Sequence, residues 1–296
     1  MEAGRCLEPR AVLLLVTVLI TVLTSSLLCT SIMTDHWEHI DWDRDQVVQL
    51  TAQGNITEDS IFKPYGHHTS IEWHMEGRVS KISLRKRTEI GELGKEVAGL
   101  FLLPMHGGIW TLCPALAEEE LRILKKMGLP DVKCVNYLDQ NAQFENEFIL
   151  EDIKGDWQHR MQNLSISCAL VCLIILGSSA LVGLFGVVKH QISAVLVTGV
   201  MYLLAGTFAL FTLTIIHFKR RSECQGRGNA EEGALGTGNE RLRNQLRNHY
   251  LPAREVAGGW SLELGWAALA LCTAASALWI LLARVMRYSP LTTILA

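Results

Sequence analysis

Four stretches of this chain carry almost no charge: Ala11–Met33, Ser165–Val188, Ile192–Phe218 and Leu262–Ala283. Each is 22–27 residues long. A bilayer core of about 30 Å is crossed by about 20 apolar residues in a helix. Backbone polar groups have no water partner in lipid, so each stretch must close its hydrogen bonds within itself as a helix. One such run fits inside a soluble core; four with polar flanks do not. The expected fold class is therefore a membrane protein of four transmembrane helices. The first stretch is longer than a typical signal-peptide core and lacks an Ala-x-Ala cleavage site, so it reads as a retained span, with a cleaved signal peptide as the alternative.

Orientation follows from basic residues in the short flanks. Arg5 and Arg10 precede the first span, Lys189 lies in the turn 189–191, and Arg284 and Arg287 follow the fourth. These place residues 1–10, the turn and the tail 284–296 in the cytosol. Lys219, Arg220 and Arg221 run against that assignment, because they follow the third span on the opposite side. Two outer segments result, 34–164 and 219–261. The first holds 14 Lys/Arg against 22 Asp/Glu, a net −8, and the second eight against five, a net +3. Opposite charge lets the two attract, but exposed ion pairs are weak, and separate solvated loops are the simpler expectation. The whole-chain net charge of −3 gives no reason to expect a nucleic-acid partner.

Asn55-Ile56-Thr57 is a glycosylation sequon in polar surroundings; Asn163-Leu164-Ser165 abuts the second span and is too close to the membrane to serve well. On the outer side Cys113 and Cys134 meet an oxidising compartment, where a disulfide persists. Between them CPALAEEELRILKKMGLPDVKC reads as one helix. Pro114 suits its first position, acidic Glu118–Glu120 and basic Lys125-Lys126 match the helix dipole, and Gly128 and Pro130 end it. Leu116, Ile123, Leu124 and Met127 share a face. Closing that loop adds about 3 kcal/mol in the chain-entropy account. Upstream, TSIEWHMEGRVSKISL alternates apolar and polar residues around Glu76-Gly77, predicting a hairpin with Ile71 opposite Ile82. Apolar stretches at Glu96–Met105 and Ile109–Leu112 follow, and Cys134–Leu138 predicts a short strand. Trp37 and Trp42 stand just past the first span, where interfacial anchoring is one reading. In His106-Gly-Gly-Ile-Trp-Thr-Leu-Cys113 the glycines permit a sharp backbone approach that lays Trp110 beside the disulfide.

Trp37, Gly108-Ile109-Trp110 and Cys113…Cys134, with Gly259-Trp260-Ser261 opening the fourth span, resemble the superfamily of claudins, peripheral myelin proteins and calcium-channel gamma subunits. The Gly-Trp-Ser opening is similar to the gamma-subunit-like branch. Thr34-Asp35-His36-Trp37 and the Asp156-Trp157 approach to the second span look most like the transmembrane protein 178 group, and the fourth span is also similar to the transmembrane protein 114 group. The resemblance covers the spans and the end of the first outer segment, not residues 46–101 or the second outer segment. It implies a left-handed four-helix bundle with a small antiparallel sheet outside, stapled by Cys113–Cys134. It implies no catalysis and no cofactor. It points to a non-enzymatic accessory protein that binds another integral membrane protein, a channel or receptor, in calcium handling. A claudin-like junction or adhesion protein is the alternative. Plasma membrane and endoplasmic reticulum are both consistent with it, with lipid as the surrounding partner.

Residues suited to chemistry are sparse. Glu263 and His217 are ionisable but stand at span ends, where solvation is easy. His67-His68, His74 and His106 lack metal-ligand spacing. Cys168 and Cys172 lie one helical turn apart and read as small packing residues. Cys6 is a candidate palmitoylation site, with a free thiol as the alternative. Cys224 has no evident partner. No catalytic nucleophile–base pair, phosphate loop or small-molecule substrate site is visible. Ser179, Gly183, Gly199, Ala205-Gly206 and the alanines 267, 268, 270, 274, 275 and 277 let helices approach closely; packing within the bundle is expected to take most of them, and the excess on the fourth span offers a face for a partner helix.

Overall fold

A computed structural model describes residues 9–56, 67–87, 93–138, 154–222, 233–238 and 240–294. In chain order the elements are α1 (Pro9–Met33), β1 (Glu38–Trp42), α2 (Arg44–Ile56), β2 (His67–His74), β3 (Val79–Arg87), β4 (Leu93–Leu102), β5 (Met105–Gly107), β6 (Thr111–Pro114), α3 (Glu118–Lys126), β7 (Val135–Asn136), α4 (Lys154–Val188), α5 (Ile192–Ser222), β8 (Ala234–Gly238), α6 (Glu240–Tyr250), β9 (Arg254–Gly258) and α7 (Trp260–Ile294). They form two compact units. A helical unit comprises Met1–Thr34, Arg160–His217 and Trp260–Ala296; a sheet unit comprises Asp35–His159 and Phe218–Gly259.

The helical unit contains four helices long and apolar enough to cross a membrane: Arg10–Met33, Arg160–Val188, Ile192–Arg221 and Trp260–Tyr288. Small residues set their approach. A methyl group at Gly199 would stand 3.0–3.2 Å from Ile280, Trp279 and Ser276, so α5 and α7 touch there almost backbone to backbone. Buried hydroxyls and rings add cross-links. Trp279 Nε1 donates to Thr21 Oγ1 at 2.9 Å, Ser31 Oγ donates to the Ser261 carbonyl at 2.8 Å, and Ser25 and Tyr202 share a hydrogen bond of 2.9 Å. Helical order runs past the expected loop boundaries. Residues 154–164 and 219–222 are helical rather than loop, and the expected tail continues α7 to Ile294.

The sheet unit corrects the expectation of one small sheet fed by the first outer segment. There are two antiparallel sheets, ordered β7-β6-β5-β1-β9 and β2-β3-β4-β8. The second inter-span segment gives one edge strand to each: β8 pairs with β4 and β9 with β1. The predicted hairpin is present with Ile71 opposite Ile82. Its turn needs positive φ at Met75, Glu76 and Gly77 (51°, 58° and 88°), the mirror-image geometry that matches strand twist.

Alternation then sorts the four-stranded sheet into two faces. On one, Ile82, Leu84, Ala98, Leu100 and Leu102 pack against Val47 of α2 and Leu246 and Tyr250 of α6. On the other, Val79, Phe101 and Leu103 pack against Leu124 of α3 and Leu129 beyond it. The α3 region departs from the sequence reading in detail. Pro114 ends β6 opposite Met105 instead of starting the helix. The helix begins at Glu118, and Glu120 reaches back to accept the Ala117 amide at 2.9 Å. Ile123 is exposed, and Leu121 packs in its place beside Leu116 and Met127.

Tyr250 ties the two inter-span segments together. Its hydroxyl shares a 2.6 Å hydrogen bond with Thr51 of α2, and burial pushes its pKa up to about 12. Leu246→Ala is expected to destabilise the sheet unit by about 2–5 kcal/mol, and Tyr250→Phe by about 1 kcal/mol. Hydrogen exchange of the β3–β4 amides reads both. Independent loops would leave that exchange unchanged.

Candidate functional site

The motif residues of the first inter-span segment converge on the five-stranded sheet. Its register explains why. One row runs across all five strands: Ala257 on β9, His39 on β1, His106 on β5, Cys113 on β6, then Cys134 just before β7. Thr111 pairs with Asn136 and Leu112 with Val135, so Cys134 falls directly opposite Cys113, and the two form a disulfide. The bridge therefore fastens a pair of strands only four and two residues long, too short to hold by ladder bonds alone.

The adjacent row runs Gly258, Glu38, Gly107, Leu112 and Val135, with side chains on the opposite face. Glu38 is 3 % exposed and Lys219 4 %. Lys219 Nζ donates to Glu38 Oε1 at 2.9 Å and stands 5.9 Å from the centre of the Tyr137 ring. Space for the carboxylate comes from the glycines flanking it across the strands. A methyl at Gly107 would lie 2.9 Å from both Glu38 Cγ and Oε1. Ile40, Met105 and Leu112 complete this face, with Tyr137 and Val256 against them. Among the described residues, Glu38 Oε2 accepts no hydrogen bond. A buried half-satisfied carboxylate depends on its cation.

Trp37 is not an interfacial anchor: it is 3 % exposed, its amide donates to Gly107 O at 2.8 Å, and its carbonyl accepts the Gly259 amide at 2.9 Å. Trp42 is also committed to the fold, donating from Nε1 to the Leu103 carbonyl at 3.1 Å. Gly259 has no room for a side chain, since a methyl there would stand 2.0 Å from His36 O. Gly108 donates to the Thr111 carbonyl at 2.8 Å, closing the β5–β6 turn. Trp110 is half-buried, and its carbonyl accepts the Tyr137 amide at 2.9 Å. Trp260 is exposed, whereas Ser261 is buried in the helical unit and shares a 2.7 Å hydrogen bond with Thr34.

The remaining candidates scatter. His67, His68 and His74 belong to β2 in the other sheet, away from the row that holds His106. His106 instead stacks on His36, with ring centroids 4.8 Å apart, and His36 lies 5.5 Å from His39. No group of three metal-ligating side chains suited to an ion occurs among the described residues. Glu263 and His217 are exposed. Cys172 is buried with Sγ 3.4 Å from the Ala205 carbonyl, and Cys168 is a free half-buried thiol. Asn55 occupies the last turn of α2 rather than a loop, and Asn163 is exposed on α4. Cys6 and Cys224 lie outside the described residues. The sequence reading missed the roles of Glu38, Lys219, His36 and His39, and read Gly107 only as backbone freedom rather than as space for Glu38. Lys219 offered one signal, as a cation on the side where short flanks disfavour it.

No protein-family model matches the chain, and no curated protein is similar to it at a significant level.

Glu38→Gln and Lys219→Met are each expected to destabilise the sheet unit by about 3–5 kcal/mol, because each leaves the other group buried alone. The double variant should be more stable than either single one. Thermal unfolding followed by tryptophan fluorescence reads the order. Equal additive losses would contradict the pairing.

Proposed function

We propose that this chain is a non-enzymatic accessory membrane protein that binds a channel or receptor through its fourth span and modulates it. The observation that supports this is the lipid-side composition of α7. The other three candidate spans expose large aliphatic and aromatic side chains, such as Leu19 and Val22 on α1, Ile174 and Leu181 on α4, and Val200 and Phe211 on α5. Such residues suit acyl chains. Helix α7 exposes Ala267, Ala270, Ala274 and Ala277, spaced three and four apart along one face, before the exposed Leu281 and Tyr288 further along the helix. Small residues at that spacing let a second helix approach closely. The exposed Trp260, Glu263 and Trp266 cap the same helix at its start. The motif residues of the sheet unit, by contrast, are largely spent on disulfide, strand and turn geometry. The resemblance to gamma-subunit-like proteins supports a channel partner, and the likeness to the transmembrane protein 178 group supports calcium handling.

A full-length chain carrying Ala270→Leu and Ala274→Leu tests the reading. Its own stability should hold, because both positions are exposed. Stoichiometric co-purification of a channel or receptor after mild detergent extraction should be lost. Retention of the partner by the variant would overturn the assignment of the face. Enrichment at cell contacts only when both cells express the protein would favour an adhesion function instead.

Asn55→Gln reads compartment and orientation together. A glycosidase-sensitive shift present in the native chain and lost in the variant is expected. A wholly high-mannose glycan assigns residence to the endoplasmic reticulum. An unshifted native chain would contradict placement of the sheet unit outside the cytosol.

A further inference from the structure

His36, His39 and His106 form one cluster over the seam between β1 and β5. His36 stacks on His106 with the rings inclined by 23° and centroids 4.8 Å apart. His36 and His39 rings stand 5.5 Å apart, and His39 is the register partner of His106. All three rings are half-buried. A methyl at Gly259 would come within 3.2 Å of His39 Nε2, so the glycine leaves the space beside that ring free of a side chain. Trp37 N, next to His36 on the chain, donates to Gly107 O beside His106 at the start of the β1–β5 seam, and Gly259 N donates to Trp37 O on the β9 side of the same strand.

We propose that this cluster is a pH switch: the stack closes over the β1–β5 seam when its rings are neutral, and acidification charges it and loosens the seam. Neutral imidazoles stack face to face, whereas two imidazolium rings at this separation repel. The charged and titratable groups around the cluster set its sensitivity. Asp35 precedes it on the chain. Asp41 of β1 and Glu255 of β9 are register partners two residues along the same face. Ala257 of β9 and the bridged Cys113 of β6 are its neutral cross-strand neighbours. Glu38 and Lys219 pair on the opposite face. The carboxylates can offset a first proton. A second charge placed on a ring 4.8 Å from the first has less to offset it, so the charges oppose one another across the stack.

His106 shows the direction. Burial holds its pKa below the ordinary histidine value; His36 adds to that, Asp35 opposes it, and His39 adds again. A depressed pKa in the closed state means that the open state takes the proton first. The His106 contribution to closed-state stability is then complete above about pH 6.5, falls up to about tenfold per pH unit below it, and levels off beneath the closed-state pKa.

The test is hydrogen exchange on the full-length protein in nanodiscs at about pH 7.5 and 5.5, corrected for intrinsic exchange rates. Protection of the Trp37 and Gly259 amides should fall about tenfold on acidification. Amides of Leu84 and Leu100 in the other sheet should hold steady as an internal reference. His106→Phe keeps an aromatic ring in the stack and cannot charge, so it should remove most of the fall. His36→Gln supplies the same comparison by removing a different ring. Equal seam protection of the native chain at both pH values would overturn the switch. An undiminished fall in both variants would also overturn it, and would place the pH response outside the cluster.

Discussion

A carboxylate can be buried in a sheet only if a cation is buried with it. Glu38 lies on β1, five residues beyond the end of α1, and its cation arrives from Lys219, 181 residues later. That pairing makes the two inter-span segments parts of one fold. β1 sits between β5, from its own segment, and β9, from the other. β8 repeats the arrangement at the edge of the second sheet, and Thr51 and Tyr250 repeat it between helices. The net charges of −8 and +3 encouraged a picture of separate loops with a weak long-range attraction. The attraction that matters is one buried contact of 2.9 Å, which net charge does not report.

His106-Gly-Gly-Ile-Trp-Thr-Leu-Cys113 gains its meaning from the same geometry. Its residues alternate between the two faces of the sheet, so neighbours in sequence have unrelated duties. Gly107 vacates the space that Glu38 fills. His106 points the other way, into the imidazole cluster, and Cys113 shares that row with the disulfide. Ile109 is fully buried, and Gly108 closes the turn. Such a run looks conspicuous in sequence because several exacting local demands fall on consecutive positions.

What was legible in the sequence was local. The four apolar spans follow from length and composition. The β2–β3 hairpin follows from period-two alternation around a turn that accepts positive φ, and its register came out to the residue. The disulfide was legible from the expected outer-side placement of its two cysteines and from the resemblance, and the intervening helix from dipole-matched charge. What was not legible depends on distant partners. β8 and β9 are five residues each, and Ala234-Leu-Gly-Thr-Gly238 and Arg254-Glu-Val-Ala-Gly258 carry no strand signal that survives without the strands they join. Trp37 beside a span has the same local composition whether it meets lipid headgroups or a sheet. His36 and His39 become neighbours of His106 only through antiparallel register that pairs His39 with His106, 67 positions later in the chain.

This division between local and distant contacts orders the assembly of the sheet unit. The Cys113–Cys134 loop spans 21 residues and can close as soon as both cysteines reach an oxidising environment. The hairpin β2–β3 and its partner β4 are likewise contiguous. The β1–β9 pairing joins residues about 220 apart, and two spans must be synthesised between them. Loop-closure entropy rises only slowly with length, so distance itself does not forbid the pairing. The delay is one of availability: until β9 arrives, one side of β1 is an open edge. Until α5 emerges, Glu38 also lacks its cation, and a carboxylate without a partner stays solvated. Burial of Glu38 therefore belongs to the late stage of folding, when both inter-span segments are present. The disulfide secures the β6–β7 end of the sheet before the ion pair and β9 complete the other.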